Sequence, residues 1–170
     1  RKAGLLLIAD HAMRHLPEEY GTLGLEPSEF ERHIAYDIGA EALMRELAKG
    51  LSCPAVMARF SRLLIDPNRG LDDPTLVRQL YDGSVVPGNY PLGADELIKR
   101  IDNFHTPFRR AVRDSIAQMW AMAGQPPLVI SIHSFTPSMG GKVRPWHVGI
   151  LWDADPRAAT PLIGMLEAEP

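Results

Sequence analysis

Two of the chain's six histidines follow continuous apolar runs. His11 comes after Leu5–Ala9 and Asp10, and His133 directly after Leu128-Val129-Ile130-Ser131-Ile132. A neutral imidazole can carry a proton or ligate a metal ion. One histidine at the end of a buried strand is commonly a packed, hydrogen-bonded residue; two, after separate core strands, point to a shared site. Zinc suits imidazole and carboxylate ligands, and a catalytic zinc keeps three protein ligands and one open position. For the third ligand the sequence offers His33 and Asp37, which lie four apart and share one face if the segment is helical. The preferred assignment puts His33 on the metal with Asp37 as its orienting partner. The reverse, with Asp37 on the metal, stays open, as does a plain solvent-facing pair. One zinc per chain is expected.

A second constellation, Arg59-Phe60-Ser61-Arg62-Leu63-Leu64-Ile65, ends in Asp66-Pro67-Asn68-Arg69. A guanidinium fork matches a carboxylate at two points, and an amide adds a further donor. Asn68 and Arg69 therefore read as a clamp for an acidic group on a ligand, against the plainer alternative of a turn with a solvated arginine. Arg62 is either a second anchor or the partner of Asp66. His15 and His105 read as ordinary surface or helix residues.

The elements that must hold these side chains follow from periodicity. Leu5–Ala9 and residues 128–132 are apolar runs of strand length, as expected for strands covered on both faces. Residues 10–26 read as a loop, punctuated by Pro17, Gly21 and Gly24. Pro27 opens an expected helix whose stripe is Phe30, Ile34, Ile38, Leu43 and Leu47, with Gly50 as its stop. Residues 55–60 and 63–65 read as strand. Residues 67–89 read mostly as loop, with a short helix at 75–81. Residues 95–123 carry helical periodicity that Pro107 kinks or splits. A strand over 146–152 and a helix over 161–169 complete the reading. Strands alternating with helices imply an α/β fold, a three-layer α/β/α sandwich with a mainly parallel central sheet. Ligands in such folds sit beyond the carboxyl ends of the strands.

With 170 residues, 45% of them hydrophobic and 23% charged, the chain has the size and balance of one globular domain. A net charge of -3 and the lack of a basic tract argue against nucleic acid as a partner. No apolar run approaches the roughly 20 residues of a membrane helix, so no membrane partner is expected. The opening Arg1-Lys2-Ala3 and the short run after it read as the approach to a strand rather than as a signal peptide. A single cysteine, Cys53, fits a reducing, cytoplasmic setting.

Four motifs occur in order along nearly the whole chain: Ile8-Ala9-Asp10-His11-Ala12 with Pro17, residues 61–69, Ser131-Ile132-His133-Ser134-Phe135, and Arg144-Pro145-Trp146-His147. Together they resemble the N-formylglutamate amidohydrolase family, and residues 31–40 and 82–89 look like a branch of predicted amidohydrolases. The resemblance implies a zinc-dependent hydrolase. Its wider relatives are zinc exopeptidases, the succinylglutamate desuccinylase and aspartoacylase group, and zinc amidases of cell-wall peptides, and the implied fold is zinc-exopeptidase-like (phosphorylase/hydrolase-like). It places His11 and His133 at the metal and Asn68 with Arg69 at a substrate carboxylate. Better-characterised members carry Ser-Pro-His-Ser-Gly where this chain has Ala9-Asp10-His11-Ala12-Met13, a departure that bears on substrate identity more than on metal binding. The family continues past the position of Pro170, where a carboxylate acts as general base. Residues 1–170 are thus expected to form a single amidohydrolase-like domain lacking a C-terminal portion.

Amide hydrolysis needs a nucleophile, a polarised carbonyl and a protonated leaving amine. Within the chain, Glu18 or Glu19 could shuttle the proton, or both are simply solvated. His147 could stabilise a developing oxyanion at the site rim, with Arg144 as a further anion contact, or serve as a structural residue at a strand start. The expectation is a zinc amidohydrolase acting on a small N-acyl amino acid, N-formyl-like and acidic, such as N-formylglutamate. The alternatives are a zinc amidase or peptidase acting on a larger peptide, and a non-catalytic metal-binding module.

Overall fold

The computed structural model describes residues 4–169. They form two compact units, one ending at Phe135 and the other beginning at Thr136. Arg1, Lys2, Ala3 and Pro170 lie outside the described residues.

In the first unit the chain runs β1 (Leu5–Ala9), α1 (Ala40–Leu51), β2 (Ala55–Met57), β3 (Leu80–Tyr81), β4 (Ser84–Val85), α2 (Ala94–Arg100), α3 (Thr106–Ala123) and β5 (Leu128–Ser131). Strand β1 lies between β2 and β5 and is parallel to both. Its continuous apolar sequence follows from that central place. Side chains alternate across a strand, so Leu7 and Ala9 share a face, where they pack with Ala40 and Met44 of α1 and with Ile132. Ile8 faces the other way beside its register partner Val56, and Val56 packs with Phe108 and Val112 of α3. Helices therefore lie on both faces of a three-stranded parallel sheet, an arrangement compatible with the expected α/β sandwich.

Several local expectations need correction. The helix expected from Pro27 to Gly50 is interrupted: a 3-10 helix covers Pro27–Glu31, and α1 begins only at Ala40. Gly39, at φ 83°, takes the left-handed conformation at the start of α1, a geometry that glycine adopts without a Cβ clash. His33 and Asp37 consequently do not share a helix face. Residues 63–65 are buried but form a turn, because Ser61 satisfies the backbone locally. Its Oγ donates to the Ala35 carbonyl at 2.7 Å and accepts from the Leu63 N–H at 3.2 Å, while the Leu64 N–H donates to the Ser61 carbonyl. Such local bonds compete with a strand ladder.

The short helix expected at 75–81 is instead the approach to the β3–β4 hairpin. Its central residues, Asp82 and Gly83, have φ of 45° and 84°, as a two-residue hairpin turn requires. Residues 95–123 do form helix, and Pro107 coincides with its break: a π turn, Ile101–His105, separates α2 from α3.

The second unit contains the hairpin β6 (Ser138–Met139) and β7 (Lys142–Val143), turned by Gly140 and Gly141, and helix α4 (Ala159–Glu167). Residues 146–152 were expected to be a strand, but they carry no strand pairing. No described helix is long and apolar enough to cross a membrane.

Candidate metal centre

The site lies at the carboxyl ends of β1 and β5. Asp10 and His11 follow β1 at once, and His133 comes two residues after β5. Asp37 arrives from the loop before α1, which is pinned to the same place because the Asp37 N–H donates to the His11 carbonyl at 2.9 Å. One ligand atom each from His11, Asp37 and His133 can be chosen so that all lie within 4.8 Å of one another. The His133 Nδ1 is 2.8 Å from Asp37 Oδ2, and the two imidazole rings are 5.2 Å apart at their centroids. The Ser134 N–H adds a 3.3 Å bond to Asp37 Oδ2.

The second carboxylate, Asp66, sets the orientation of His11. His11 Nε2 lies 2.7 Å from Asp66 Oδ1, and an ionised carboxylate only accepts, so that nitrogen carries the proton. His11 Nδ1 is then turned into the group, 3.5 Å from Asp37 Oδ1, buried and without a hydrogen-bond partner. A buried imidazole nitrogen left without a bond, beside a carboxylate and a second imidazole, is the donor set a metal ion completes. His11, Asp37 and Asp66 are 2%, 6% and 1% exposed, whereas the His133 side chain is 36% exposed.

Charge holds this cluster together. Burial by itself raises the pKa of Asp37 and Asp66, but the hydrogen bonds and charges of their partners outweigh it and hold both carboxyls well below the usual range. Those partners are His11 and His133 for Asp37, and His11 and Arg62 for Asp66. For His11, burial works downward, yet the neighbouring carboxylates Asp37 and Asp66 push its pKa up. Arg62 spans the two carboxylates, with Nη2 2.7 Å from Asp66 Oδ2 and Nη1 3.5 Å from Asp37 Oδ1, and its guanidinium lies over the Tyr81 ring. Asp10, 5% exposed, stands beside His133 at 3.9 Å with one buried oxygen unpartnered. Burial, the largest influence, pushes its carboxyl up.

The two open alternatives for the third ligand now separate geometrically. Asp37 stands in the group. His33 lies elsewhere, with Nε2 3.6 Å from Asp82 Oδ2 and its ring against Tyr81. Arg62 pairs with Asp66 and with Asp37, so it belongs to the carboxylate network.

Asn68 and Arg69 follow Asp66 in a turn. The Asn68 N–H donates to Asp66 Oδ1 at 3.0 Å and its side chain is exposed, while Arg69 Nε lies 3.9 Å from Asp66 Oδ2. Glu18 sits exposed on the 3-10 turn Glu18–Tyr20, and Glu19 pairs with Lys99; neither joins the group. Arg144 and His147 belong to the second unit. The Arg144 N–H donates to the Pro137 carbonyl, and His147 is exposed on a bend rather than at a strand start. A cleft of about 650 Å³ is lined by Ala12 and Tyr36, the chain neighbours of His11 and Asp37, together with Met13, His15 and Phe30.

Sequence reasoning missed Asp10, and it missed Asp66 as the partner of His11. The signal for each was position: Asp10 directly precedes the first histidine, and Asp66 opens the Asp-Pro-Asn-Arg turn.

The sequence matches the family described as N-formylglutamate amidohydrolase over residues 3–170. The crystal structure of a gene product from Agrobacterium tumefaciens is similar with a TM-score of 0.92 and 36% identity, covering 98% of this chain and 66% of that one. The crystal structure of N-formylglutamate amidohydrolase from Ralstonia eutropha JMP134 is similar in fold, with a TM-score of 0.65 at 21% identity, over 78% of this chain and 53% of that one. The chain thus spans just under two thirds of the first structure and about half of the second. No curated protein matches it.

Proposed function

The chain belongs to the N-formylglutamate amidohydrolase family, and from that premise we propose that it takes part in zinc-dependent hydrolysis of the amide bond of a small, acidic N-acyl amino acid such as N-formylglutamate. The observation that carries this reading is the unbonded Nδ1 of His11, presented to Asp37 and His133 while Asp66 holds the opposite nitrogen. His11, Asp37 and His133 would hold the ion, and Asp37 rather than His33 is the third ligand in this reading. A zinc ion held there supplies a Lewis acid for the amide carbonyl and makes water acidic enough to attack near neutral pH.

The remaining chemistry falls to the chain's own side chains. Asp66 keeps the Nε2 proton on His11 and so keeps Nδ1 a donor of electrons. Arg62 pairs closely with Asp66 and more loosely with Asp37 and offsets part of their charge, which helps two carboxylates share one buried site. Asn68 and Arg69 take the carboxylate of the substrate and hold its amide over the histidines; the exposed amide of Asn68 and the weakly engaged fork of Arg69 support that role. The cleft beside Ala12 and Tyr36 gives the acyl group room. The free thiol of Cys53 fits the cytoplasm as the place of action.

The test is hydrolysis of N-formyl-L-glutamate, followed by release of free amine, before and after chelation and after zinc is restored. Activity should disappear with the chelator and return with zinc. Unchanged hydrolysis in the chelated protein would refute metal dependence, and hydrolysis equally good with the uncharged bis-amide of the substrate would refute carboxylate recognition.

A further inference from the structure

His105 has no contact with the three-ligand group, yet it is a buried polar residue in an apolar stripe. Ile101, Phe104, Phe108 and Val112 pack with Phe60 and Ile65. His105 falls on the same face by helical spacing and is 5% exposed. An imidazole in such a place is unfavourable unless its N–H is bonded. Its Nε2 lies 2.9 Å from the carbonyl oxygen of Arg69. A carbonyl only accepts, so Nε2 carries the proton and donates it to that bond.

The helix is widened at this point. The Thr106 N–H bonds the Ile101 carbonyl across the π turn Ile101–His105, directly before Pro107, which has no N–H to give. Single π turns within helices occur often at functional sites. The backbone of Arg69 is held on both sides: its N–H donates to the Asp66 carbonyl at 3.1 Å, and its carbonyl accepts from His105. Its guanidinium, by contrast, is only loosely engaged, 3.9 Å from Asp66 Oδ2 through Nε and 3.9 Å from Asp73 Oδ2 through Nη1. A fixed backbone with an uncommitted fork suits a side chain that must meet a ligand in one geometry.

We propose that His105 is a positioning residue that, from the π turn before α3, fixes the backbone of Arg69 so that its guanidinium meets the carboxylate of the substrate. The inference rests on the reading of Arg69 as the carboxylate clamp.

The test is binding of N-methyl-L-glutamate, which keeps the carboxylates but has no acyl bond to cleave, and of its bis-amide to the zinc-loaded protein by titration calorimetry, with the preference for the acid over the amide as the readout. His105→Phe keeps the ring and removes the donor, and it should lower that preference about three- to tenfold, the worth of one backbone hydrogen bond. His105→Gln keeps an amide N–H at similar reach and should restore most of the preference. If His105→Phe does not fold, His105→Asn, whose amide is too short to reach, carries the same expectation. In an Arg69→Lys background, His105→Phe should change the preference no further. Equal weakening of acid and amide by His105→Phe makes the residue structural and overturns the inference, as does an unchanged preference while Arg69→Lys lowers it; in both cases the clamp stands. An unchanged preference in Arg69→Lys itself overturns the clamp, and with it this inference.

Discussion

Replacing Asp66 by Asn isolates the contribution of the outer carboxylate to the metal group. The substitution keeps size and an oxygen acceptor, so His11 Nε2 can still donate across the 2.7 Å contact. What disappears is a charge that is 1% exposed and also receives Arg62 Nη2 at 2.7 Å and the Asn68 N–H at 3.0 Å. Partners of this kind raise the basicity of a ligating histidine, and their loss costs about 10–100-fold in metal affinity. Breaking a buried ion pair costs about 3–5 kcal/mol. The lower end of that range, about 3 kcal/mol, applies here because Arg62 retains Asp37 at 3.5 Å and the Tyr81 ring. Zinc affinity is measured by competition with a chromophoric chelator, and the stability of the metal-free protein by urea unfolding. Asp66→Asn with wild-type zinc affinity would refute the reasoning that the carboxylate tunes His11. Wild-type stability would refute the claim that the Asp66–Arg62 pair stabilises the fold.

Three further outcomes follow. Arg69→Lys should lower kcat/KM for carboxylate-bearing substrates by about one to two orders of magnitude, the worth of a charge-assisted bond that an ammonium cannot make at two points; an equal loss with carboxylate-free substrates would place Arg69 in folding instead. Asp37 and Asp66 are held below the normal carboxylate range, so in the metal-free protein their stabilising effect is present above about pH 4 and is lost as pH falls through their native values. The raised pKa of His11 acts oppositely, contributing below about pH 6.5 and fading as pH rises through its native value. Urea unfolding between pH 7 and pH 3 should show stability falling on the acid side, and a flat profile there would contradict the charge network. Ser61→Ala removes the hydroxyl that bonds Ala35 and Leu63 and should cost about 1–3 kcal/mol in the same assay, with a change below about 0.5 kcal/mol, the range of an ordinary surface substitution, counting against it.

The strands that carry the histidines were legible because each is an apolar run of strand length, which located β1 and β5 and set His11 and His133 at their ends. The expectation of cover on both faces fits the central β1, whereas β5 is an edge strand with Leu128 and Val129 exposed. Periodicity failed as a guide where a side chain determines the backbone. Ser61 turns Leu63-Leu64-Ile65 away from a strand although all three are apolar and buried. Residues 32–39 form turns, so α1 begins only at Ala40, past the stripe that began at Phe30, and His33 and Asp37 share no helix face. Asp82-Gly83 was a readable hairpin signal, overridden by the weaker helical reading of residues 75–81. Which of Asp37 and His33 stands beside His11 and His133 was not readable in sequence, because Asp37 is held there by contacts distant along the chain, from its N–H to the His11 carbonyl and from its carboxylate to His133. Asp66 and His105 act through residues 55 and 36 positions away along the chain, contacts that no local pattern encodes.

The most direct test of the centre is the zinc content of protein purified without chelators, measured by elemental analysis alongside His11→Ala, His133→Ala and His33→Ala. About one zinc per chain is expected in the wild type and in His33→Ala, with most of it lost in His11→Ala and His133→Ala, as a three-ligand site built on those histidines and Asp37 requires. Wild-type protein that is metal-free and cannot be loaded with zinc, or His11→Ala and His133→Ala variants that keep full occupancy, would contradict it.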